Sequence, residues 1–136
     1  MKKTRSELRD IIVKILYQII LYKEHNMNYE INEVIKEHLE IENEFVSSSV
    51  DLIVVKYDEL ASLINKYLNN WTLERLGKID QAILLFSVYE LIYTDIPKIV
   101  AIDEGVELAK KYSDDDVRKM INGVLDKIYH EEINNE

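Results

Sequence analysis

Residues 79–93 read IDQAILLFSVYELIY and form a long, largely apolar segment of the chain. It is apolar on nearly every side, and a helix that is hydrophobic all round must be surrounded by other elements. Its polar exceptions are Asp80 and Gln81 at one end and Glu90 near the other. Because a charge that leaves water needs a partner, these side chains are informative. The segment therefore predicts a central helix packed inside a helical protein.

Two more helices are predicted after this segment. Pro97 bars continuation of the central helix, and the next helix, residues 100–112, ends with Lys110 and Lys111, as the helix dipole favours. Residues 113–116, SDDD, then supply a cap and an acidic first turn for a last helix. The side chains that this last helix is predicted to bury are Val117, Met120 or Ile121, Val124, Leu125 and Ile128.

The residues before the central helix predict three more helices. The first covers about residues 4–23, where apolar residues recur at three- and four-residue spacing. A polar break at residues 25–28 precedes a second, weaker helix that carries Ile31, Val34, Ile35 and Leu39. Residues 47–49, SSS, are predicted to cap a third helix whose apolar stripe continues to Leu68.

Three residues are given specific packing or capping roles. Trp71 is predicted to plug the seam between the two halves of the chain, and Thr72 to cap a fresh helical turn. Gly123 lies in the middle of the last helix, where glycine costs about 1 kcal/mol relative to alanine. We expect it to allow the close approach of a neighbouring helix.

Composition supports an all-α fold of about six or seven helices. With 47% hydrophobic residues, three glycines and one proline, the chain has too little turn punctuation for a barrel or sandwich. We predict a single domain over residues 1–136, made of two packed helical subdomains. These are an N-terminal helix cluster, about residues 1–70, and a C-terminal cluster, about residues 71–133, followed by a frayed acidic tail.

Charge and cysteine content narrow the functional classes. The formal net charge is −9, so any RNA site must be a local basic patch. No cysteine is present, which excludes disulfides and thiolate metal sites. The sequence has neither the continuous apolar core of a signal peptide nor an apolar run of about 18 residues that could span a membrane. A cytoplasmic protein that contacts no membrane is expected.

A basic row begins the first helix. Lys2, Arg5 and Arg9 recur at helical spacing and lead into the apolar stripe. The row is interpreted either as a solvated flank that keeps the helix end soluble or as a phosphate-binding surface. The residues alone do not choose between these two interpretations.

The sequence carries no pattern typical of an enzyme. His25, His38 and His130 lie in three different segments, and no phosphate loop or His-Glu-x-x-His motif occurs. The run of aspartates at residues 114–116 lacks the returning loop of oxygen ligands that a cation site needs, so capping is the favoured interpretation. We therefore predict a protein without catalytic residues, metal or cofactor.

Residues 71–129 contain an ordered set of short sequence words. They are WTLERL (71–76), IDQAIL (79–84), VYEL (88–91), IP (96–97), VAIDE (100–104), ELAKKY (107–112) and INGVLDK (121–127). In this order and spacing they resemble the NusB family of bacterial transcription antitermination factors. Arg9, Leu16 and Tyr17 also fall where the family has Arg, Leu and Tyr.

The resemblance implies two partners. Proteins of the family bind, together with the ribosomal protein NusE, the boxA element of ribosomal RNA leader transcripts, and so act indirectly on RNA polymerase with other Nus factors. The positions that match the family's RNA surface are Lys2, Lys3, Arg5, Arg9, Tyr17, Arg118, Lys119, Met120 and Asn122. Those that match its NusE surface are Asp80, Gln81 and Glu90. Asp80 is alternatively a helix-start charge, and Glu90 an internal carboxylate paired, for instance, with Arg75.

Some positions depart from the family pattern. Leu85 stands where an arginine is usual and Met120 where a phenylalanine is usual, and residues 114–116 add negative charge beside the implied RNA surface. An alternative function is therefore a protein-only partner module that binds NusE with weak or lost RNA affinity. A relative of the NusB-like domain of ribosomal RNA cytosine methyltransferases is a third interpretation, disfavoured because the chain has no cysteine for that chemistry.

Overall fold

The computed structural model describes residues 2–134, and this part of the chain contains seven α-helices and no strand. The helices are α1 (Arg5–Glu24), α2 (Ile31–His38), α3 (Glu44–Val55), α4 (Tyr57–Tyr67), α5 (Lys78–Tyr93), α6 (Lys98–Tyr112) and α7 (Asp115–Ile128). A 3-10 turn, Leu73–Arg75, precedes α5, and a π-helical turn, Tyr129–Ile133, follows α7. The predicted all-α fold class is confirmed.

Helix α5 is the centre of the packing. It contacts α1, α3, α4, α6 and α7, and every residue from 81 to 91 is buried. The nearly continuous apolar sequence of this helix therefore has its predicted physical cause, since no side of it faces water over these three turns. The N-terminal and the C-terminal helices both pack against this one element.

Side-chain caps fix the starts of several helices. The Thr4 hydroxyl accepts from the Glu7 amide at 3.1 Å, and the Glu7 carboxylate accepts from the Thr4 amide at 2.8 Å. Asp114 caps α7 by accepting from the Val117 amide at 2.9 Å, as its sequence position predicts. Each cap satisfies a backbone N–H that the helix itself leaves without a partner.

The predicted third helix is wrong in its start and in its continuity. Asn43 provides the cap by accepting from the Val46 amide at 3.1 Å, so the serines at residues 47–49 lie inside α3. The backbone then leaves helical geometry at Lys56, with φ −95° and ψ 13°, and α4 starts at the next residue. The apolar stripe continues across the break, which is why periodicity alone indicates one helix.

The predicted roles of Trp71, as a core residue between the two halves of the chain, and of Thr72, as a helix cap, are also wrong. Trp71 is 53% exposed and lies outside the core. Thr72 makes no side-chain cap; the Asn65 side-chain oxygen instead accepts from the Leu73 amide at 2.7 Å. The residue of this segment that enters the core is Leu73, which is fully buried.

Close helix approach occurs at Gly105 and not, as predicted, at Gly123. A Cβ atom on Gly105 would lie 2.5 Å from Ser87 Oγ and 3.0 Å from Leu125 Cδ1, so glycine permits α6 to approach α5 and α7. A Cβ atom on Gly123 would meet nothing within 4 Å. The glycine in α7 therefore has no steric requirement within the described structure.

This difference predicts opposite stability effects for two alanine substitutions. Gly105→Ala is expected to lower the free energy of unfolding by about 1–3 kcal/mol, because the new methyl group overpacks the junction with Ser87 and Leu125. Gly123→Ala should raise it by about 0.5–1 kcal/mol, because alanine loses less backbone entropy in a helix. Urea denaturation of the two matched variants measures both changes, and a stabilising Gly105→Ala would contradict the close approach.

The acidic tail is partly docked. Glu132 accepts a hydrogen bond from Lys66 at 2.9 Å and another from the Tyr67 hydroxyl, so the π-helical turn lies against α4. These bonds lower the pKa of the Glu132 carboxyl. Glu132 is thus held against α4, whereas residues 135 and 136 of the predicted frayed tail lie outside the described residues.

Candidate nucleic-acid interface

Three of the predicted RNA-binding cations are exposed at the start of α1. Lys2 and Lys3 precede the Thr4 cap, and Arg5 is the first helical residue. The Arg5 guanidinium lies 4.0 Å from the centroid of the Phe45 ring, which holds it by a cation–π contact. This end of α1 presents a short, solvent-facing basic surface, which we call the α1 basic end (Lys2, Lys3 and Arg5).

Arg9 is not part of that surface, contrary to the predicted basic row. It is 4% exposed, and its Nε lies 3.0 and 3.1 Å from the two carboxylate oxygens of Glu90. Its NH1 nitrogen lies 3.2 Å from Glu104 on α6. A buried guanidinium bound to two carboxylates cannot face a phosphate in this structure, so Arg9 ties α1 to α5 and α6.

Glu90 is likewise internal, with an exposed fraction of 0%. Burial raises the pKa of its carboxyl, and the hydrogen bond and charge of Arg9 act in the opposite direction. The partner proposed from the sequence, Arg75, lies elsewhere, with its guanidinium carbon 5.5 Å from the Trp71 ring. Glu90 therefore cannot contact NusE directly without a rearrangement of the core.

Of the other two predicted partner contacts, one reaches the surface. Gln81 is 2% exposed, and its amide nitrogen donates to the carbonyls of Leu76 at 2.9 Å and Glu74 at 3.3 Å. It holds the 3-10 turn against α5. The prediction that Gln81 contacts NusE at the surface is therefore wrong for this structure, because its side chain is internal. Asp80 is half-buried in the first turn of α5 and accepts a hydrogen bond from Ser113.

The predicted residues of α7 lie on its first turns. Lys119 and Asn122 are exposed, and Arg118 is half-exposed with its NH2 nitrogen 3.5 Å from Asp115. Met120 is half-buried and lines a groove together with Trp71. Among the residues that the structure describes, Lys119 has no salt-bridge partner, so the start of α7 offers this lysine and the Asn122 amide, while Asp115 partly neutralises Arg118.

Helix α6 lies between these two groups of residues. Ser6 donates to Glu104 at 2.8 Å, and Asp10 accepts from Lys111 at 2.9 Å and from the Tyr112 hydroxyl at 2.5 Å. The first half of α1 is thus fixed alongside α6, whose last turn leads into α7. An RNA strand that contacted both the α1 basic end and the predicted residues of α7 would cross the C-terminal part of α6.

The groove between α1 and α6 contains two cations that are not among the predicted RNA-binding residues, on a lining that holds five carboxylates and three lysines. Lys14 and Lys111 both contact Asp10 and line the groove between α1 and α6. Burial raises the pKa of Asp10, but hydrogen bonds from Tyr112, Lys111 and Lys14 together hold it below its usual value. Tyr17 is exposed three residues after Lys14, so the two share one face of α1. The three-residue spacing between Lys14 and Tyr17 is the sequence signal that could have added Lys14 to the predicted RNA-binding residues.

The described part of the chain has neither a metal-binding cluster nor a membrane-spanning helix. Within residues 2–134, no group of three or more His, Asp or Glu side chains is arranged to hold a metal ion. Over the same residues, no helix has the length and apolar character needed to cross a membrane.

Comparison with known proteins places this chain in a protein family. The family model described as NusB family matches residues 6–130. The transcription antitermination protein NusB of Macrococcus caseolyticus is 40% identical over 129 residues, covering 92% of this chain and 95% of that protein. The protein of the same name from Enterococcus faecalis is 37% identical, covering 94% of this chain and 90% of that protein.

Solved structures agree with the sequence comparison. The structure of T. maritima NusB matches with a TM-score of 0.83 and 30% identity, covering 94% of this chain and 92% of that one. A crystal structure of the antitermination factors NusB and NusE in complex with dsRNA matches with a TM-score of 0.77 and 32% identity. That match covers 95% of this chain and 98% of the other.

Fold and comparisons together define the class: an all-helical transcription antitermination factor of a family that is not an enzyme family. The chain belongs to the NusB family.

Proposed function

We propose that the protein binds the boxA element of ribosomal RNA leader transcripts together with the ribosomal protein NusE, as a preformed helical adaptor. Through that complex it acts indirectly on RNA polymerase and the other Nus factors. The observation that carries the proposal is the α1 basic end, where Lys2, Lys3 and Arg5 face solvent on a chain whose net charge is −9. Such a local surface gives a polyanion one preferred place to bind.

The solved relatives support the choice of partners. One of them contains NusB and NusE with dsRNA, and this chain shares its fold over 95% of its own length. The exposed cations of this chain would neutralise backbone phosphates, which positions RNA without reading its sequence. Tyr17 and Asn122 are exposed and have the chemistry to stack on unpaired bases and to hydrogen-bond their edges.

A protein-only partner module is the second candidate. It is favoured by the internal pairing of several cations, since Lys14 and Lys111 contact Asp10 and Arg118 contacts Asp115. Pairing reduces the charge that these residues can offer to phosphates. In this alternative Asp80, the predicted NusE contact that reaches the surface, would contribute to a complex with little affinity for RNA.

Removal of the α1 basic end tests the first candidate. The combined substitution Lys2→Ala, Lys3→Ala and Arg5→Ala should weaken binding of labelled single-stranded boxA RNA to the complex with NusE. The slope of log affinity against log salt should become shallower by about 0.7 for each phosphate that is no longer neutralised, because fewer counterions are released. Fluorescence anisotropy at several salt concentrations measures both quantities.

The control is Lys36→Ala, which removes an exposed lysine of α2 that pairs with Glu33. It should change neither the affinity nor the salt slope. If the combined variant behaves like this control, the RNA surface lies elsewhere. If NusE binds but adds no RNA affinity in the unsubstituted protein, the second candidate is correct.

A further inference from the structure

An apolar groove lies between the segment that joins α4 to α5 and the exposed side of α7. Its volume is about 490 Å³, which is within the range of small-molecule pockets. The apolar side chains that line it are Leu68, Trp71, Leu76, Val117, Met120 and Val124. Gly123 also lines it, and the space above this glycine is open, since a Cβ atom there would meet nothing within 4 Å.

Trp71 is the informative side chain of this groove. It is the single tryptophan of the chain and is 53% exposed, so its ring is not required to fill the core. The Arg75 guanidinium carbon lies 5.5 Å from its ring centroid. Arg75 lies over one face of the ring in a cation–π contact, so an unpaired nucleobase would stack on the other face.

The charges around the groove favour an anion. Arg75 and Lys127 line it, and within residues 2–134 neither has a carboxylate oxygen within salt-bridge distance. Asp116 is the one acidic residue of the lining. The groove therefore carries more positive than negative charge on a chain whose net charge is −9. An electrostatic preference for phosphate follows.

We propose that this groove is a nucleotide subsite, in which one unpaired base of a single-stranded RNA stacks on Trp71 while Arg75 and Lys127 bind the adjoining phosphates. The exposed Asn69 amide at the groove has the donor and acceptor groups to contact the edge of that base. The inference rests on the proposed RNA-binding function and adds to it a named stacking residue.

The position of the groove fits a path for the strand. Met120 belongs both to the groove and to the predicted RNA residues of α7, and Lys119 and Asn122 are exposed on the same helix. A strand that leaves the groove past Met120 would thus meet the adjoining exposed Lys119. An apolar protein segment would fill the same space but would leave Arg75 and Lys127 without counter-charges.

The test uses Trp71 itself as the reporter. Single-stranded boxA RNA is added to the full chain in complex with NusE, and the fluorescence change from NusE alone is recorded separately. Quenching of Trp71 by the intact strand is expected, with none from a strand of equal length whose bases have been removed. In anisotropy measurements, Trp71→Ala should weaken RNA binding roughly 5- to 150-fold, and Trp71→Phe should retain most of the affinity.

Controls separate stacking from folding and from charge. Because Trp71 is largely exposed, the thermal unfolding midpoint of Trp71→Ala should stay close to that of the unsubstituted protein. Lys127→Ala should weaken RNA binding, and Lys36→Ala should not. A loss of affinity in Trp71→Ala that is accompanied by unfolding, with Trp71→Phe no better, would contradict the stacking role.

Other outcomes overturn the inference in distinguishable ways. If RNA binds with unchanged affinity to Trp71→Ala and causes no quenching, RNA binding stands but this subsite does not. If NusE alone changes the Trp71 signal and RNA adds nothing, the groove is a protein-binding surface. If the signal changes with the concentration of the free chain together with its mass in solution, a second copy occupies the groove. If no RNA binds in the presence of NusE, both this inference and the proposed function fail.

Discussion

Arg9→Ala is expected to lower the free energy of unfolding by about 3–5 kcal/mol, the usual effect of removing one partner of a buried ion pair. The substitution leaves the Glu90 carboxylate buried without its partner, since Glu90 has an exposed fraction of 0% and its counter-charge comes from Arg9. Urea denaturation followed by circular dichroism measures the change. A loss below about 1 kcal/mol would show that the pair does not hold α1 on α5.

Glu90→Ala provides the matched comparison and should be less damaging. Arg9 then still lies 3.2 Å from Glu104, whose side chain is 24% exposed and keeps access to water. The double substitution Arg9→Met with Glu90→Leu removes both buried charges, so it should recover much of the stability lost in Arg9→Ala. A double-mutant cycle built from Arg9→Met, Glu90→Leu and the double substitution isolates the coupling between the two side chains.

The Arg9→Ala variant should also respond to pH in a specific direction. Burial already raises the pKa of Glu90, and the removal of Arg9 takes away the main group that lowers it. A carboxyl whose pKa is raised in the folded state stabilises the fold below its unfolded pKa, and that contribution is lost as the pH rises through the folded value. The stability deficit of Arg9→Ala should therefore shrink as the pH is lowered.

This result would bear on function, because Arg9 is one of the residues predicted from the sequence to bind RNA. A loss of RNA binding in Arg9→Ala would be a consequence of unfolding and not of a missing bond to phosphate. Arg5 is exposed and held mainly by the Phe45 ring, so its removal leaves the fold intact. Affinity measured beside stability for the two variants distinguishes these causes.

Phe86→Ala is expected to have a comparable effect, a loss of about 3–5 kcal/mol in the free energy of unfolding. Phe86 is fully buried on α5, the helix that contacts both the N-terminal and the C-terminal helices. Alanine there removes apolar packing and leaves a cavity that rigid neighbours fill only in part. Since domains are typically stable by about 5–15 kcal/mol, the loss is a large share of the total.

Ile41→Ala is the control for this prediction. Ile41 is 81% exposed between α2 and α3, so the same kind of truncation should change the stability by no more than about 0.5 kcal/mol. Thermal and urea denaturation of both variants give the comparison. Equal losses in the two variants would mean that α5 is not the centre of the core.

Much of the fold can be predicted from the sequence because its signals are local. The apolar residues of α5 indicate a surrounded helix, and the stripe of α1 indicates a single buried face. The Asp114 cap and Pro97 mark helix boundaries through backbone chemistry that depends on a few adjacent residues. The same local signals fail at Lys56, where the backbone breaks although the apolar stripe continues.

Fewer features of the candidate site can be predicted from the sequence. Helical spacing puts Arg5 and Arg9 in one row, yet Arg5 faces solvent and Arg9 is buried. Trp71 and Gly123 similarly have sequence signals typical of close packing, and both border an open groove. In each case exposure depends on which other element lies opposite, and that element is distant in the sequence.

Local patterns in the chain thus predict the all-helical class, the central position of α5 and the need of a buried Glu90 for a partner. The packing of distant helices shows that this partner is Arg9, 81 residues away, and that Gly105 permits the close contact predicted for Gly123. Periodicity and capping depend on neighbours within a few residues. The pairing of a buried charge and the space around a side chain are set when remote helices pack together.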